Sequence, residues 1–328
     1  MNNRRKLLVV LGACALAAPF AALAQQRGKV GRIGYLSISQ SGNDPRFEGF
    51  KQQLRDLGHV EGKTITIDYL SVEGKYDRLP ALAAELVRRN VDVILSSSGT
   101  PTATAARNAT RTIPIVFVGI SDPVGQGFVA SLARPGGNVT GITGQNVETA
   151  GKLLELLKEI VPSAKRIAIL SNPNNSSLFL VLNEMKAAAK TLRLGVTVVN
   201  ARAPADFEEA FIEIARDRPA GLVVLPDGMF GSESRRIAAL AAKHHLPAIS
   251  GQNFYPEGGG LMSYGTNRVD MGRRAAILVD KILKGAKPGD LPVEQPTKFD
   301  LVLNKRTARD LGIKIPNSIL VQATKVIE

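Results

Sequence analysis

Six short polar stretches stand out in this chain of 328 residues, because each follows an apolar run and is built from small hydrogen-bonding groups. They are 37–42 (SISQSG), 96–100 (SSSGT), 119–123 (GISDP), 171–177 (SNPNNSS), 226–230 (PDGMF) and 250–253 (SGQN). Hydroxyls, carboxamides and free backbone N–H groups can hold a carboxylate or another anion, above all where the stretch opens a helix. The stretch 96–100 is the clearest case, since Pro101 suits a first helical turn. For any single stretch, plain helix capping by Ser, Thr or Asn explains the same residues. Six in equivalent places argue for one binding cleft.

Groups suited to covalent or metal chemistry are scarce. There are three histidines, His59, His244 and His245. The last two are adjacent, so on a helix they diverge and cannot chelate one ion. His59 follows Gly58 at a helix end, where capping accounts for it. Neither HExxH nor GxSxG occurs. No catalytic residue, metal site or cofactor is therefore assigned. Two stretches imitate nucleotide sites. The stretch 58–64 (GHVEGKT) is one residue short of GxxxxGK[ST] and precedes a strand instead of following one. The stretch 125–130 (GQGFVA) matches GxGxxA, but no acid follows at the end of a next strand to hold a ribose.

The elements that must position the polar stretches alternate along the chain. Apolar or β-branched runs at 30–36, 64–69, 91–95 and 113–118 read as strands. Segments 46–57, 76–90 and 101–110 between them carry helical spacing, for example Phe47, Phe50, Leu54 and Leu57. After Gly136 and Gly137 the pattern restarts. It has strands at 166–170, 196–200, 221–225, 247–249 and 260–264, and helices at 147–161, 176–194, 204–216 and 232–244. A last helix, 268–284, ends at Gly285 and can pack back on the first half. Short apolar strands between amphipathic helices predict parallel sheets covered on both faces. Two such series predict two doubly wound α/β lobes, with crossovers near 135–144 and 285–297. Ligands of such sheets bind beyond the carboxyl ends of the strands, where the six polar stretches lie.

The N-terminus reads as a signal peptide. Arg4, Arg5 and Lys6 precede an uncharged run, 7–23, that ends in Ala22-Leu23-Ala24, which predicts cleavage after Ala24. Gly12 and Pro19 interrupt the run, which is no longer than the ~20 residues a spanning helix needs. Loose likenesses to a lipoprotein box at Cys14 and to a twin-arginine signal rank lower. Cys14 is the only cysteine. Cleavage would leave no thiol. The formal charge of +13 is spread along the chain beside acids, as in Lys152 and Glu155. No basic run is interleaved with aromatics, so no nucleic-acid partner is expected.

Beyond these patterns, longer motifs are recognisable: 33–37 (IGYLS), 57–63 (LGHVEGK), 76–83 (YDRLPALA), 113–117 (IPIVF) and 122–125 (DPVG). They continue with 131–141 (SLARPGGNVTG), 258–265 (GGGLMSYG) and 291–299 (LPVEQPTKF). Together the chain resembles the ABC-transporter substrate-binding proteins of the type I periplasmic-binding-protein fold, in the subgroup linked to aromatic amino acids. The resemblance implies a periplasmic protein with two lobes, 30–141 plus 265–295 and 142–264 plus 296–328. Crossover hinges would join them, and hinge closure would trap a small organic solute, an amino acid or similar carboxylate. It implies an ABC permease as partner and suits a monomer. Ser98, Gly99 and Thr100 would donate to a ligand carboxylate. Ser37, Ser121, Asp122, Asn172, Asn174, Ser176 and Asp227 would orient the ligand from both sides, and an acid such as Asp227 can take an ammonium. Stacking would fall to Tyr264, or to Tyr35, Phe230, Phe254 or Tyr255, although core packing explains each of them. A sensor subunit for a membrane receptor is the first alternative. A secreted α/β enzyme and a DNA-binding regulator are weaker ones, since no reactive set is visible and the signal peptide occupies the place of a helix-turn-helix.

Overall fold

The computed structural model describes residues 30–39, 44–253 and 255–328. The expected signal peptide, with Cys14, lies outside the described residues. The first lobe holds strands β1 (Gly31–Ser37), β2 (Ile65–Ser71), β3 (Val93–Ser96), β4 (Ile115–Ile120) and β5 (Val139–Thr143). They form an all-parallel sheet in the order β2-β1-β3-β4-β5. Helices α1 (Pro45–Asp56), α2 (Leu79–Arg88) and α3 (Thr100–Ala109) connect them. Both sheet faces are buried, as the continuous apolar runs require. On one face Leu36, Ile94 and Phe117 pack against Leu79 and Leu86 of α2 and Ala103 and Ala106 of α3. On the other, Ile33, Tyr35, Leu95 and Val116 pack against Phe50 and Leu54 of α1.

The second lobe contains β6 (Arg166–Ser171), β7 (Gly195–Asn200), β8 (Leu222–Val224), β9 (Ala248–Ser250), β10 (Met262–Thr266), β11 (Phe299–Asn304) and β12 (Lys325–Ile327). Their order is β12-β11-β10-β9-β8-β6-β7. Helices α4 (Ala150–Ile160), α5 (Leu178–Thr191), α6 (Phe207–Arg216), α7 (Gly228–Ser232) and α8 (Ser234–Lys243) separate β5 through β9. This sheet is not wholly parallel: β11 runs antiparallel to β10. The chain crosses from the first lobe just before β11, so it enters the sheet from the opposite end. Strands β5, β11 and β12 occupy stretches that the sequence pattern marked only as crossovers or did not mark.

Helix α9 (Arg268–Leu283) follows β10 but belongs with the first lobe. Its Met271, Ala275 and Val279 join the core under β1, β3 and β4. Helices α1 and α9 pack closely because two glycines meet backbone at their crossing. A Cβ on Gly49 would lie 2.2 Å from the Val269 carbonyl oxygen, and one on Gly272 2.0 Å from that of Arg46. His59 does not act as a simple cap. Its Nε2 lies 2.8 Å from Asp280 Oδ1 of α9 and ties the helix to the loop before β2. Three segments link the lobes. One follows β5, one joins β10 to α9, and one returns through Glu294, whose amide bonds to Gly141 O and whose carbonyl accepts from Thr143 N. Two short helices, α10 (Lys305–Asp310) and α11 (Asn317–Gln322), close the second lobe.

Candidate ligand-binding cleft

The carboxyl ends of both sheets face each other, and a polar cavity of about 50 Å³ lies between them. Lobe 1 lines it with Arg46, Ser98, Gly99 and Gly119, and lobe 2 with Asn175, Ser177, Pro226, Gly228, Gly251 and Gln252. Asn146 lines it from the segment after β5, Thr266 from the end of β10 and Arg268 from the start of α9. A larger cavity of about 830 Å³ opens at the other end of lobe 1, beside Val30, His59 and Gly285. It sits at the amino ends of the strands, away from the place where such sheets bind ligands.

On the lobe 1 wall, Asp44 organises the polar groups. Its Oδ1 caps α1 by accepting from Arg46 N at 3.1 Å. Its Oδ2 accepts from Tyr35 Oη at 3.1 Å, Ser37 Oγ at 3.3 Å and Ser97 Oγ at 3.2 Å. Burial, then the nearby Asp44 charge, pushes the Tyr35 hydroxyl well above its usual pKa. The turn before α3 depends on Gly99, whose φ of 77° favours glycine. Its side-chain and backbone donors are engaged inside the lobe. Ser98 N donates to Thr102 Oγ1, Gly99 N to Val118 O, and Thr100 Oγ1 to Gln126 Oε1. Ser98 and Gly99 line the cavity, whereas Thr100 turns away from it.

The cations of the site are Arg46 and Arg268. Both stand in the first turn of a helix, α1 and α9, where the helix dipole disfavours positive charge. The Gly49–Gly272 crossing brings these two helix starts together. Arg268 is only 8% exposed. Burial, and then the like charge of Arg46, lowers its pKa to about 9, so it is still charged at neutral pH. Arg46 Nε is buried without a hydrogen-bond partner among the described residues. Two crowded, poorly solvated cations favour an anion between the lobes.

The lobe 2 wall is neutral toward the cavity. Asp227 caps α7, its Oδ1 accepting from Met229 N at 2.9 Å and Phe230 N at 3.2 Å. Its Oδ2 accepts from Asn175 Nδ2, Asn172 Nδ2 and, across from lobe 1, Tyr76 Oη at 2.6 Å. Five donors therefore saturate a carboxylate that is 1% exposed. The expected ammonium contact at Asp227 has no free lone pair to use. Gln252 Nε2 donates to the Asp227 carbonyl at 2.8 Å, which holds the 250–253 turn against the 226–230 turn.

The structure distributes the other expected site residues widely. Ser37 is buried beneath the wall, bonded to Asp44 and Ser98. Ser121 lies near the end of β4 with its Oγ buried and without a partner among the described residues. Asp122 caps its own turn through Gly125 N at 2.8 Å. Asn172 is fully buried on Asp227, while Asn174 and Ser176 are exposed beside it. Tyr264 stacks on Phe299 at 6.0 Å between centroids and does not line the cavity. Tyr35, Phe230 and Tyr255 are core residues, and Phe254 lies outside the described residues. Arg46, Asn146, Thr266 and Arg268 were missed. Arginine in a first helical turn, where it opposes the dipole, was a signal. Arg235, Arg236 and Arg306 share it without lining the cavity, so it does not single out Arg46 and Arg268.

This architecture is the type I periplasmic binding protein fold, two parallel-sheet α/β lobes. A tyrosine-binding protein of Clostridioides difficile (strain R20291) is 28% identical over 283 residues, covering 85% of this chain and 81% of the relative. The structure of an ABC domain from Streptococcus pneumonia in complex with L-Trp is 27% identical, with a TM-score of 0.84 over 91% of this chain and 100% of that one. The ligand-free, open structure of a substrate binding protein with adhesive properties from Clostridium difficile is 26% identical. It covers 91% of this chain and 99% of its own, with a TM-score of 0.64. The family model for ABC transporter substrate binding proteins matches residues 35–327, and this chain belongs to that family.

Proposed function

We propose that this chain is the extracytoplasmic solute-binding component of an ABC uptake transporter, and that it captures a small organic solute bearing a carboxylate. The observation that carries this reading is the pair of guanidinium groups, Arg46 and Arg268, in a cavity between two lobes. Arginine forks match carboxylate geometry and hold it bidentately. Ser98 and Gly99 from lobe 1 and Ser177 and Gln252 from lobe 2 complete the contact surface. Relatives that bind tyrosine or carry L-Trp support an amino acid or similar carboxylate as the ligand class. The lobes here match the L-Trp complex better than the open form, at nearly equal identity and coverage, which fits a hinge-closing receptor.

Export through the 1–24 segment, docking on a permease and a monomeric state complete the reading. The test is a thermal-shift titration against amino acids, organic acids and neutral sugars. A carboxylate that raises Tm in proportion to the logarithm of its concentration supports it, because only binding to the folded state does this. Stabilisation by neutral sugars alone sinks it.

A further inference from the structure

The charge in the cavity narrows the ligand further, on the basis of the cleft reading above. The only charged side chains that line the cavity among the described residues are Arg46 and Arg268. The two carboxylates behind its walls are sealed. Asp44 is 2% exposed and held by three hydroxyls and the Arg46 amide, and Asp227 is held by five donors. Two cations in front of one lobe 1 carboxylate give that wall a formal charge of +1. Residues 1–29, 40–43 and Phe254 contain no Asp or Glu, so no side-chain carboxylate is missing from this count.

The acids at the cleft mouth are also engaged. Glu257 pairs with Lys325 at 2.5 Å, and Glu48 with Lys51 at 3.0 Å. Asp300 Oδ2 accepts from Asn253 Nδ2 at 2.7 Å and Asn267 Nδ2 at 2.9 Å. A zwitterionic amino acid would put its ammonium close to its own carboxylate, and so close to both guanidiniums. Among the described residues that line this cavity it would find amides and hydroxyls, and no anion.

We propose that this cavity selects carboxylates that lack an ammonium group, such as 2-oxo and 2-hydroxy acids, over the corresponding amino acids. Like charge around a small site is an effective way to reject a near-identical ligand. The carboxylate balances the +1 wall, and the group at C2 meets the neutral lobe 2 wall. There the second Nε2 hydrogen of Gln252 suits a carbonyl, and Ser177 Oγ, whose proton goes to Asn175 Oδ1, can accept from a hydroxyl.

Isothermal titration of the full chain with matched pairs tests this. The probes are L-phenylalanine against phenylpyruvate and phenyllactate, L-alanine against pyruvate and lactate, and L-glutamate against 2-oxoglutarate. The expected result is at least a ten-fold tighter Kd for an acid than for its amino acid in the best-binding pair. In R46Q and R268Q the acid should lose more affinity than the amino acid, so the ratio collapses. A wild-type preference for the amino acid, with binding still lost in both arginine variants, overturns this selection and leaves the carboxylate cleft standing. No binding of any carboxylate by the folded chain overturns both.

Discussion

Each lobe hides one carboxylate behind its wall, and the two are used differently. Asp44 in lobe 1 sits behind Arg46 and Arg268, so that wall presents charge. Asp227 in lobe 2 is surrounded by neutral donors, so that wall presents amides and hydroxyls. A doubly wound sheet with the same kind of capped turns can thus become a charge-binding surface or a neutral closing surface. What differs is whether a cation in a first helical turn lines the cavity, as Arg46 and Arg268 do and Arg235 and Arg236 of α8 do not. Lobe 1 is expected to set ligand affinity, while lobe 2 sets how well the cleft shuts.

The strongest way to break this comparison is to remove a cation. Losing one partner of a buried charge pair costs about 2–5 kcal/mol, so R46Q or R268Q should weaken carboxylate binding about 30-fold or more. A substitution in lobe 2 such as S177A should cost far less, and equal losses in calorimetry would refute the division. Next comes the helix crossing. G272A removes a helix-weakening glycine, worth about 1 kcal/mol, but places a methyl 2.0 Å from a carbonyl oxygen. Overpacking costs about 1–3 kcal/mol, so Tm should fall, and affinity should fall with it as the arginines separate. A raised Tm would contradict the proposed crossing.

Smaller effects belong to the contacts between the walls. Y76F removes a bond to Asp227 that exists only when the lobes meet, so a few-fold weaker Kd is expected, with lobe stability unchanged. G228A should act in the same direction, since its methyl would lie 2.7 Å from Ile38 of lobe 1. Small-angle scattering would show a wider ligand-free ensemble for both variants.

The smallest effect is the response to acid. Burial opposes ionisation of Asp280 and Asp68, but Lys284 and His59, and Arg32 and Arg89, prevail and hold both below the usual carboxylate range. The folded chain then binds fewer protons at these sites near pH 4 than the unfolded chain. Their contribution is present above about pH 4 and is lost as pH falls through the folded values. Asp300 in lobe 2 is shifted upward, chiefly by burial, so its contribution grows as pH falls through its folded value. Denaturation followed between pH 5 and pH 3 should show lobe 1 weakening first, and D280N should flatten that slope.

The fold was legible because both parallel sheets are buried on two faces and so read as apolar runs. Strand β1 carries Ile33, Tyr35 and Leu36 in one continuous stretch. Strands β11 and β12 were not legible, because pairing β11 antiparallel at a sheet extension depends on where the chain re-enters. The cleft was legible as a set of turns, and Ser98, Gly99, Ser177 and Gln252 come from them. The individual contacts were not, since a serine that faces a ligand and one that caps a helix look alike in sequence. Arg268 came from a helix whose lobe is fixed only by packing.

That late helix has a consequence for the order in which the molecule can be made. His59 and Asp280, which fasten α9 to lobe 1, are 221 residues apart in the chain. The first five strands emerge with one face of their sheet covered by α1 alone, and they wait for α9 until almost all of lobe 2 has followed. Distant contacts of this kind slow folding and leave apolar surface open meanwhile. A chain that stops before residue 268 would carry a complete-looking lobe 1 sheet with half its roof missing and one of its two arginines absent. On the proposed reading of the cleft, a chain that ends before residue 268 is expected to lose solute binding, so capture would report that synthesis had nearly finished.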